Sequence, residues 1–508
     1  MKYKPVIGLE IHAELNTKTK MFCDSLNDPD EKHPNINICP ICMGHPGTLP
    51  VINYEAVKKV IVAGLALNCK IAEDTFFERK NYFYPDLPKG YQITQYQKPL
   101  CEGGWLDISR GNPPSHKASE GSKRIRIIRI HLEEDAGRLQ HLPNEDYSLV
   151  DYNRAGVPLM ELVTEPDFET GLEVKKFAEE LRLILRYLGV SNADMEKGLM
   201  RVEVNISLSP STSSGQMPKA FGTKVEIKNL NSIKSASEGV DYEIKRQTEL
   251  LEAGEKVVQE TRGWDDSKKK TVSQRSKEEA HDYRYFPEPD LPPLKFTQIQ
   301  IGAIKESLLE LPQARRERFE KQYNLPSYDI EVFTVNKLLG DYFEHVVSEL
   351  LSFDKFSHLE KPPENEYPKL LKLAANYLIT NFNKMVESVS AEPEDTKVTP
   401  EMFARLIIFI FHGQISSTVA VGVLGEMFET GISPDKIIET KGLTQISGVS
   451  ELQQLVDKTV INNSQAVEDY KKGKEASLKF LIGMVMRESK GKANPQVVEE
   501  ILRNKLLN

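Results

Sequence analysis

Four segments of this chain alternate apolar and polar residues with a period of two, and the polar positions carry an unusual set of side chains. In residues 6–14, Glu10, His12 and Glu14 fall on one side and Leu9, Ile11 and Ala13 on the other. Successive side chains of a β-strand point to opposite faces, so this spacing predicts a strand with one charged face. Residues 123–132 alternate less cleanly, and 201–208 alternate strictly. Residues 224–228 repeat the arrangement after a Ser/Gly/Pro-rich stretch at 209–222, which predicts an antiparallel pair. Antiparallel sheets often keep one wet face, but such faces usually carry Thr, Ser and Lys. Here carboxylates, Arg, His and Asn recur on three segments, and the chain is constrained to a sheet with a working polar surface.

A chain of 508 residues is too long for one hydrophobic core. Between the strands, Val174, Phe177, Leu181, Ile184 and Leu188 follow helical spacing and Gly189 supplies a stop, which predicts a packing helix over 173–188. After the proline cluster at 287–293 strand patterns fade and helical ones take over, the first running from Pro312 to before Pro326. An acidic, proline-containing stretch at 391–396 precedes a helix start at Thr399-Pro400-Glu401. The expected fold class is multidomain α+β: a mixed antiparallel-sheet domain over 1–293, a helical domain over 294–397 and an all-α tail over 398–508.

The net charge of −9 excludes a uniformly basic nucleic-acid coat, so any RNA contact must come from local patches. Residues 471–492 form one such patch, with seven Lys or Arg against Glu475 and Glu488. Leu478, Leu481, Met484 and Val485 give it a packing side. Lys479, Lys490 and Lys492 are the candidates for phosphate contact, since lysines near Gly491 can approach a backbone closely. Apolar runs such as 406–411 are too short to span a bilayer. Five cysteines do not make a disulfide framework, and no signal peptide opens the chain, so a reducing, cytoplasmic setting is expected.

No Walker-type loop, dinucleotide glycine fingerprint or serine-nucleophile elbow occurs. The candidate chemistry is acidic: Glu10 with His12, Glu133-Glu134-Asp135 after His131, and Glu161 downstream of Asn153-Arg154-Ala155-Gly156. Carboxylates from separate segments suit a hard divalent cation such as Mg²⁺, which bridges phosphates; singly, each acid is equally a solvated or salt-bridged residue. The aromatic and cationic run at 79–91 either stacks on bases or pins a loop to a core. Cys39 and Cys42 have metal spacing, with Cys23 sixteen residues upstream of Cys39 and His33 and His45 as candidate fourth ligands; the alternative is three reduced thiols.

At these residues the chain resembles the B components of the tRNA-dependent amidotransferases. The resemblance is carried by Val6-Ile7-Gly8-Leu9-Glu10-Ile11-His12 and by residues 79–91, 131–137, 153–159, 221–231, 281–290 and 489–495, in order from end to end. It implies that ATP and Mg²⁺ are used to phosphorylate the side-chain carboxylate of Glu-tRNA(Gln) or Asp-tRNA(Asn). It also implies two protein partners: a glutaminase, the A component, that supplies ammonia from glutamine, and a small C component that clamps the glutaminase to the kinase. By the same resemblance Glu10, His12, Glu134 and Glu161 hold the metal, and Lys80 lies along the ammonia or substrate route. A straight strand through Leu132 instead puts Glu133 on the side of His131, and a bulge is required to bring Glu134 there. Zinc-bearing members pair Cys-x-Cys with Cys-x-x-Cys, whereas Ser25 here replaces the second cysteine of the first pair. A non-catalytic tRNA-binding scaffold would lack ATP hydrolysis dependent on charged tRNA. A stand-alone metal hydrolase is disfavoured by the absent amidase nucleophile motif and the basic tail.

Overall fold

The computed structural model describes residues 2–109, 123–142, 145–210, 221–276, 283–352, 362–444, 449–489 and 492–507. It divides into two compact units, Met1–Pro312 and Gln313–Asn508. Among the described residues no helix is long and apolar enough to cross a membrane.

The first unit is built on a ten-stranded mixed sheet. Its centre is β1 (Tyr3–Glu14). Outside the sheet's main path lie β2 (Glu78–Asn81) and β3 (Tyr91–Thr94), which form a smaller three-stranded sheet with a strand described below. The large sheet continues with β4 (Arg124–Glu134), β5 (Pro158–Thr164), β6 (Met200–Pro210) and β7 (Val225–Lys228). β1 pairs antiparallel with β5 on one side and β6 on the other; β4 pairs with β5, and β7 with β6. The pair predicted at 201–208 and 224–228 is therefore present and antiparallel. Among the described residues the one parallel pairing joins β7 to Glu260–Asp265.

Period-two alternation sends Leu9, Ile11, Ala13, Ile130, Leu132, Met160, Leu162, Val202 and Val204 to one side, all buried. The helices Tyr54–Ala66, Gly171–Tyr187 and Ile233–Glu252 bury apolar stripes in the same core. Each such side chain contributes about 1.5–3 kcal/mol relative to exposure. Gly171–Tyr187 is the predicted packing helix: Val174, Phe177, Leu181 and Ile184 face the core, Thr170 caps its start, and Gly189 follows its end at φ 61°.

The units part after Pro312 rather than at 293, for a physical reason. Residues around the proline cluster are stitched onto the first unit: β8 (Arg284–Pro287) pairs with β2, and Leu294–Lys295 pairs with Asp74–Thr75. Arg79 holds Glu288 with two 2.7 Å hydrogen bonds, and Phe296 and Ile301 enter the first unit's core. In the second unit, helices from Pro312–Tyr323 to Pro434–Lys441 enclose one core that includes Phe319, Phe343, Val398, Phe403 and Ile438, so it runs through position 397. A separate small core, Leu452 to Leu506, joins Val449–Asn462, Glu475–Glu488 and Pro495–Leu507.

Candidate active site

The polar side of the sheet assembles by register. His12 is opposite Glu161 on β5 and Arg201 on β6, and Glu161 is opposite His131 on β4. One row therefore reads Arg201, His12, Glu161, His131. In the neighbouring row Glu10 lies between Glu203 and Val163, and Val163 is opposite Arg129. Glu133, two residues past His131 on β4, completes the group.

His12 Nε2 lies 3.4 Å from Glu161, 3.6 Å from Glu133 and 3.9 Å from Glu10. His131 Nε2 is 3.6 Å from Glu161 and 3.8 Å from Glu133. Glu10, His12 and Glu161 form one set of donors that converge within 4.8 Å, and His131, Glu133 and Glu161 form a second. Burial alone would push the His12 pKa down, but contact with Glu161 and the charges of Glu133, Glu161 and Glu10 raise it to about 9. His12 is thus an imidazolium at neutral pH, a cation held among three carboxylates. Burial also opposes ionisation of Glu161, yet His131, His12 and Arg129 hold its carboxyl well below the usual range. Burial and the Glu161 charge raise Glu10. His131 Nδ1 and Arg129 Nε are shut off from solvent with no hydrogen-bond partner among the described residues. Oxygen donors of this number, loosely spaced around a displaceable cation, fit a hard divalent metal.

Glu134 is not brought to this cluster. The β4–β5 register stays regular through Glu133 and Glu134, and its one irregularity lies at Val163/Thr164. Glu134 therefore points to the other side. There it accepts two 2.5 Å hydrogen bonds from Lys89 Nζ and one of 2.9 Å from the Ile93 amide. Glu133 takes the position that the resemblance implied for Glu134, as the straight-strand alternation required. His131 and Arg129 share that alternation and are further members of the face.

An aromatic wall borders the cluster. Tyr285 on β8 stacks on Tyr96 with ring centroids 4.5 Å apart. Burial and then the Glu161 charge push its phenol up. Lys80 on β2 is opposite Tyr285, with Nζ 4.7 Å from the Tyr283 ring and 5.9 Å from that of Tyr82; among the described residues it has no carboxylate partner. In the 79–91 run Arg79 is pinned to Glu288 and lies over the Tyr91 ring, as the loop-pinning alternative expects, while Phe83 is 91% exposed.

Cys23, Cys39 and Cys42 converge within 4.8 Å. Ser25 Oγ lies 3.9 Å from Cys42 Sγ, where a fourth thiol would complete the set, and buried Lys20 Nζ lies 3.8 Å from the same sulfur. His33 is exposed and hydrogen-bonded to Glu31, and neither it nor His45 joins the cluster. Hydrogen bonding from Cys23 lowers the Cys42 thiol against the opposing effect of burial. In the tail, Lys479 is exposed on Glu475–Glu488, whose Leu478, Leu481 and Val485 are buried. Lys492 is half-buried, and Lys490 lies outside the described residues.

Residues 5–301 match the GatB/GatE catalytic domain family and residues 364–506 the GatB domain family. A protein of Caldicellulosiruptor saccharolyticus, named as the B component of an aspartyl/glutamyl-tRNA(Asn/Gln) amidotransferase, is 47% identical over 100% of this chain and 99% of its own. Proteins of the same name from Caldanaerobacter subterraneus subsp. tengcongensis and Thermotoga maritima are 46% and 45% identical, covering 100% of this chain and 100% and 99% of their own. With its sheet domain and helical tail both matched and relatives aligned from end to end, the chain belongs to the GatB family of tRNA-dependent amidotransferase subunits.

Proposed function

We propose that this chain is the tRNA-kinase component of a cytoplasmic, glutamine-hydrolysing amidotransferase, an ATP-dependent carbon–nitrogen ligase that works as a heterotrimer with the A (glutaminase) and C components. In this reading a carboxylate oxygen of Glu-tRNA(Gln) or Asp-tRNA(Asn) attacks the γ-phosphorus of ATP and ADP leaves. Ammonia from the glutaminase then attacks the acyl carbon, and phosphate is expelled as the amide forms. The observation that carries the reading is His12 enclosed by Glu10, Glu133 and Glu161 on one sheet face. Glu10, Glu133 and Glu161, with His12 once it has given up its proton, would hold Mg²⁺, whose chemistry when bound is to neutralise phosphate charge and align the phosphates. The chain's own contribution is a fixed row of donors, with Arg129 and His131 holding Glu161 ionised and Tyr96 and Tyr285 walling the site.

Lys80, a cation without a carboxylate partner among the described residues and beside the Tyr82 and Tyr283 rings, is suited to guide the anionic substrate or the ammonia. Cys23, Cys39 and Cys42 would hold a structural Zn²⁺ with its fourth position on the Ser25 side. Lys479, Lys490 and Lys492 would grip the tRNA backbone. The test is Glu161→Gln in the assembled enzyme. ATP hydrolysis dependent on misacylated tRNA should fall about a hundredfold or more, with glutaminase activity retained. Near-normal hydrolysis in the variant would put the phosphoryl-transfer site elsewhere, and no such hydrolysis in the unaltered enzyme would mean a scaffold rather than a kinase.

A further inference from the structure

The four members of the row Arg201, His12, Glu161, His131 differ in how they meet solvent. The side chains of His12, Glu161 and His131 are 14%, 9% and 4% exposed, whereas that of Arg201 is 35% exposed. Arg201 is opposite His12 across the β1–β6 pair, and residues so placed on an antiparallel pair have Cα atoms about 4.5–5.5 Å apart. The Arg201 guanidinium reaches along the face to Asp135, two residues past Glu133. Arg201 is therefore the member of this row that an incoming group can touch while remaining beside the His12 cluster.

Its local bonding leaves most of the guanidinium unused. Nη2 donates a 2.7 Å hydrogen bond to the buried Asp135 Oδ2, and among the described residues Arg201 makes no second hydrogen bond or ion pair. Each of the two hydrogens on Nη2 belongs to a different forked edge, so one contact leaves the other edge whole. Such an edge matches a carboxylate with two parallel hydrogen bonds. Other cations of this face are engaged. Lys228 lies 2.9 Å from Glu203 and 3.6 Å from Glu226, and Arg129 lies 3.4 Å from Glu161. Arg154, on the far side of Asp135, donates to the Ala136 and Gly137 carbonyls. The wall that carries Lys80 borders this same end. Burial, then Glu133 and more weakly Asp135 push the Tyr82 phenol up, and the Tyr82 ring meets Tyr283 beside Lys80.

We propose that Arg201 receives the side-chain carboxylate of the misacylated tRNA, with Asp135 fixing the guanidinium and its open edge binding both carboxylate oxygens beside the His12 cluster. The same edge tells acid from amide. A guanidinium has donors only, a carboxylate accepts at both oxygens, and the carboxamide of the product turns an NH₂ donor toward one of those donors. Arg201 is then the residue that favours the acid-bearing tRNA over its amidated product. This rests on the reading that the same sheet face phosphorylates that carboxylate.

The test is equilibrium binding, without ATP or glutamine, of Glu-tRNA(Gln) against Gln-tRNA(Gln) and of Asp-tRNA(Asn) against Asn-tRNA(Asn). The assembled enzyme is compared with Arg201→Gln and Arg201→Lys. The unaltered enzyme should prefer the acid-bearing tRNA of at least one pair by about tenfold to a hundredfold. Arg201→Gln should abolish that preference by weakening the acid-bearing tRNA alone, with affinity for the amidated tRNA unchanged. Arg201→Lys keeps a cation against Asp135 but has no forked edge, so it should keep the thermal midpoint and only a few-fold preference. Full preference in Arg201→Lys, or equal weakening of both tRNAs in both variants, would make Arg201 a structural partner of Asp135 and overturn the proposal. No preference in an unaltered enzyme that hydrolyses ATP with misacylated tRNA would also overturn it, although the kinase reading stands. If the unaltered enzyme hydrolyses no ATP with either misacylated tRNA, the kinase reading falls and this proposal with it.

Discussion

His12 in the sheet unit lies 3.4 to 3.9 Å from three carboxylates, whereas Arg315 in the helical unit, 2% exposed, lies 2.7 Å from Asp341 and 3.2 Å from Glu344. Both are cations buried among acids, but the fit differs. Arg318 and Tyr323 also bond Glu344, the latter at 3.0 Å, so the helical acids are occupied by hydrogen bonds at normal length. On the sheet face no contact of His12 with these acids reaches that length. Buried charge in tight hydrogen bonds holds helices together. Buried charge held loosely is what a site for an arriving cation would need.

The Lys89–Glu134 pair is the sharpest way to break this comparison, because it is a tight pair inside the sheet unit. If fit rather than location decides, Glu134 behaves like the helical acids. Glu134→Leu strands the nearly buried Lys89 ammonium and should cost about 3–5 kcal/mol of stability, seen as a lower thermal midpoint. Its neighbour Glu133 should behave in the opposite way. Glu133→Gln should leave the midpoint nearly unchanged yet reduce tRNA-dependent ATP hydrolysis about a hundredfold. Equal loss of activity without loss of stability in both variants would restore Glu134 to the metal site.

That pair also marks what the sequence made legible. Period two put Glu10 and His12 on one face and Glu133 with His131, and all of this holds in the structure because strand alternation is a local property. The resemblance implied Glu134 instead, which required a bulge that β4 does not have at that point. Which residue lies across from which was not legible: His12 meets Glu161 only through a register set between segments about 150 residues apart. The proline cluster at 287–293 looked like a linker because proline disrupts strand patterns, yet it follows an edge strand, where the missing N–H is tolerated. Convergence of Cys23 with Cys39 and Cys42 was expected from family spacing, and the thiols do meet. The place of Arg201 beside His12 had no local signal either, since it depends on the register between β1 and β6.

In the helical unit a smaller effect is expected, and it depends on pH. Burial raises the Glu344 carboxyl, but Arg318 and Tyr323 outweigh that and hold it below its ordinary value of 4.5. A carboxyl whose pKa is depressed in the folded state contributes stability above its unfolded pKa and loses it as the pH falls through the folded value. Glu344→Gln should therefore cost about 1.5–3 kcal/mol at neutral pH. The difference from the unaltered chain should shrink below pH 4.5, as followed by denaturant titration at several pH values. ATP hydrolysis should not change.

The smallest effect concerns the tail, whose cations belong to neither class. Lys479 is exposed without a carboxylate partner among the described residues, unlike Lys474, which pairs with Asp469 at 3.2 Å. Neutralising Lys490 and Lys492 together should raise the apparent KM for tRNA. Each lost phosphate contact should also flatten the salt dependence of tRNA affinity by nearly one log–log unit. Identical slopes would make them solvated lysines.

Divalent-cation binding itself separates the two kinds of buried charge most directly. Mn²⁺, a spectroscopic stand-in for Mg²⁺, can be titrated into the full chain and followed by electron paramagnetic resonance, alongside Glu161→Gln and Glu344→Gln. The unaltered chain and Glu344→Gln should bind Mn²⁺ with matching affinity, and Glu161→Gln should weaken it at least about tenfold, as loss of a ligand or of its orienting partners does. Wild-type affinity in Glu161→Gln, or a loss of binding in Glu344→Gln, would contradict the claim that the loosely held acids of the sheet face are the metal site.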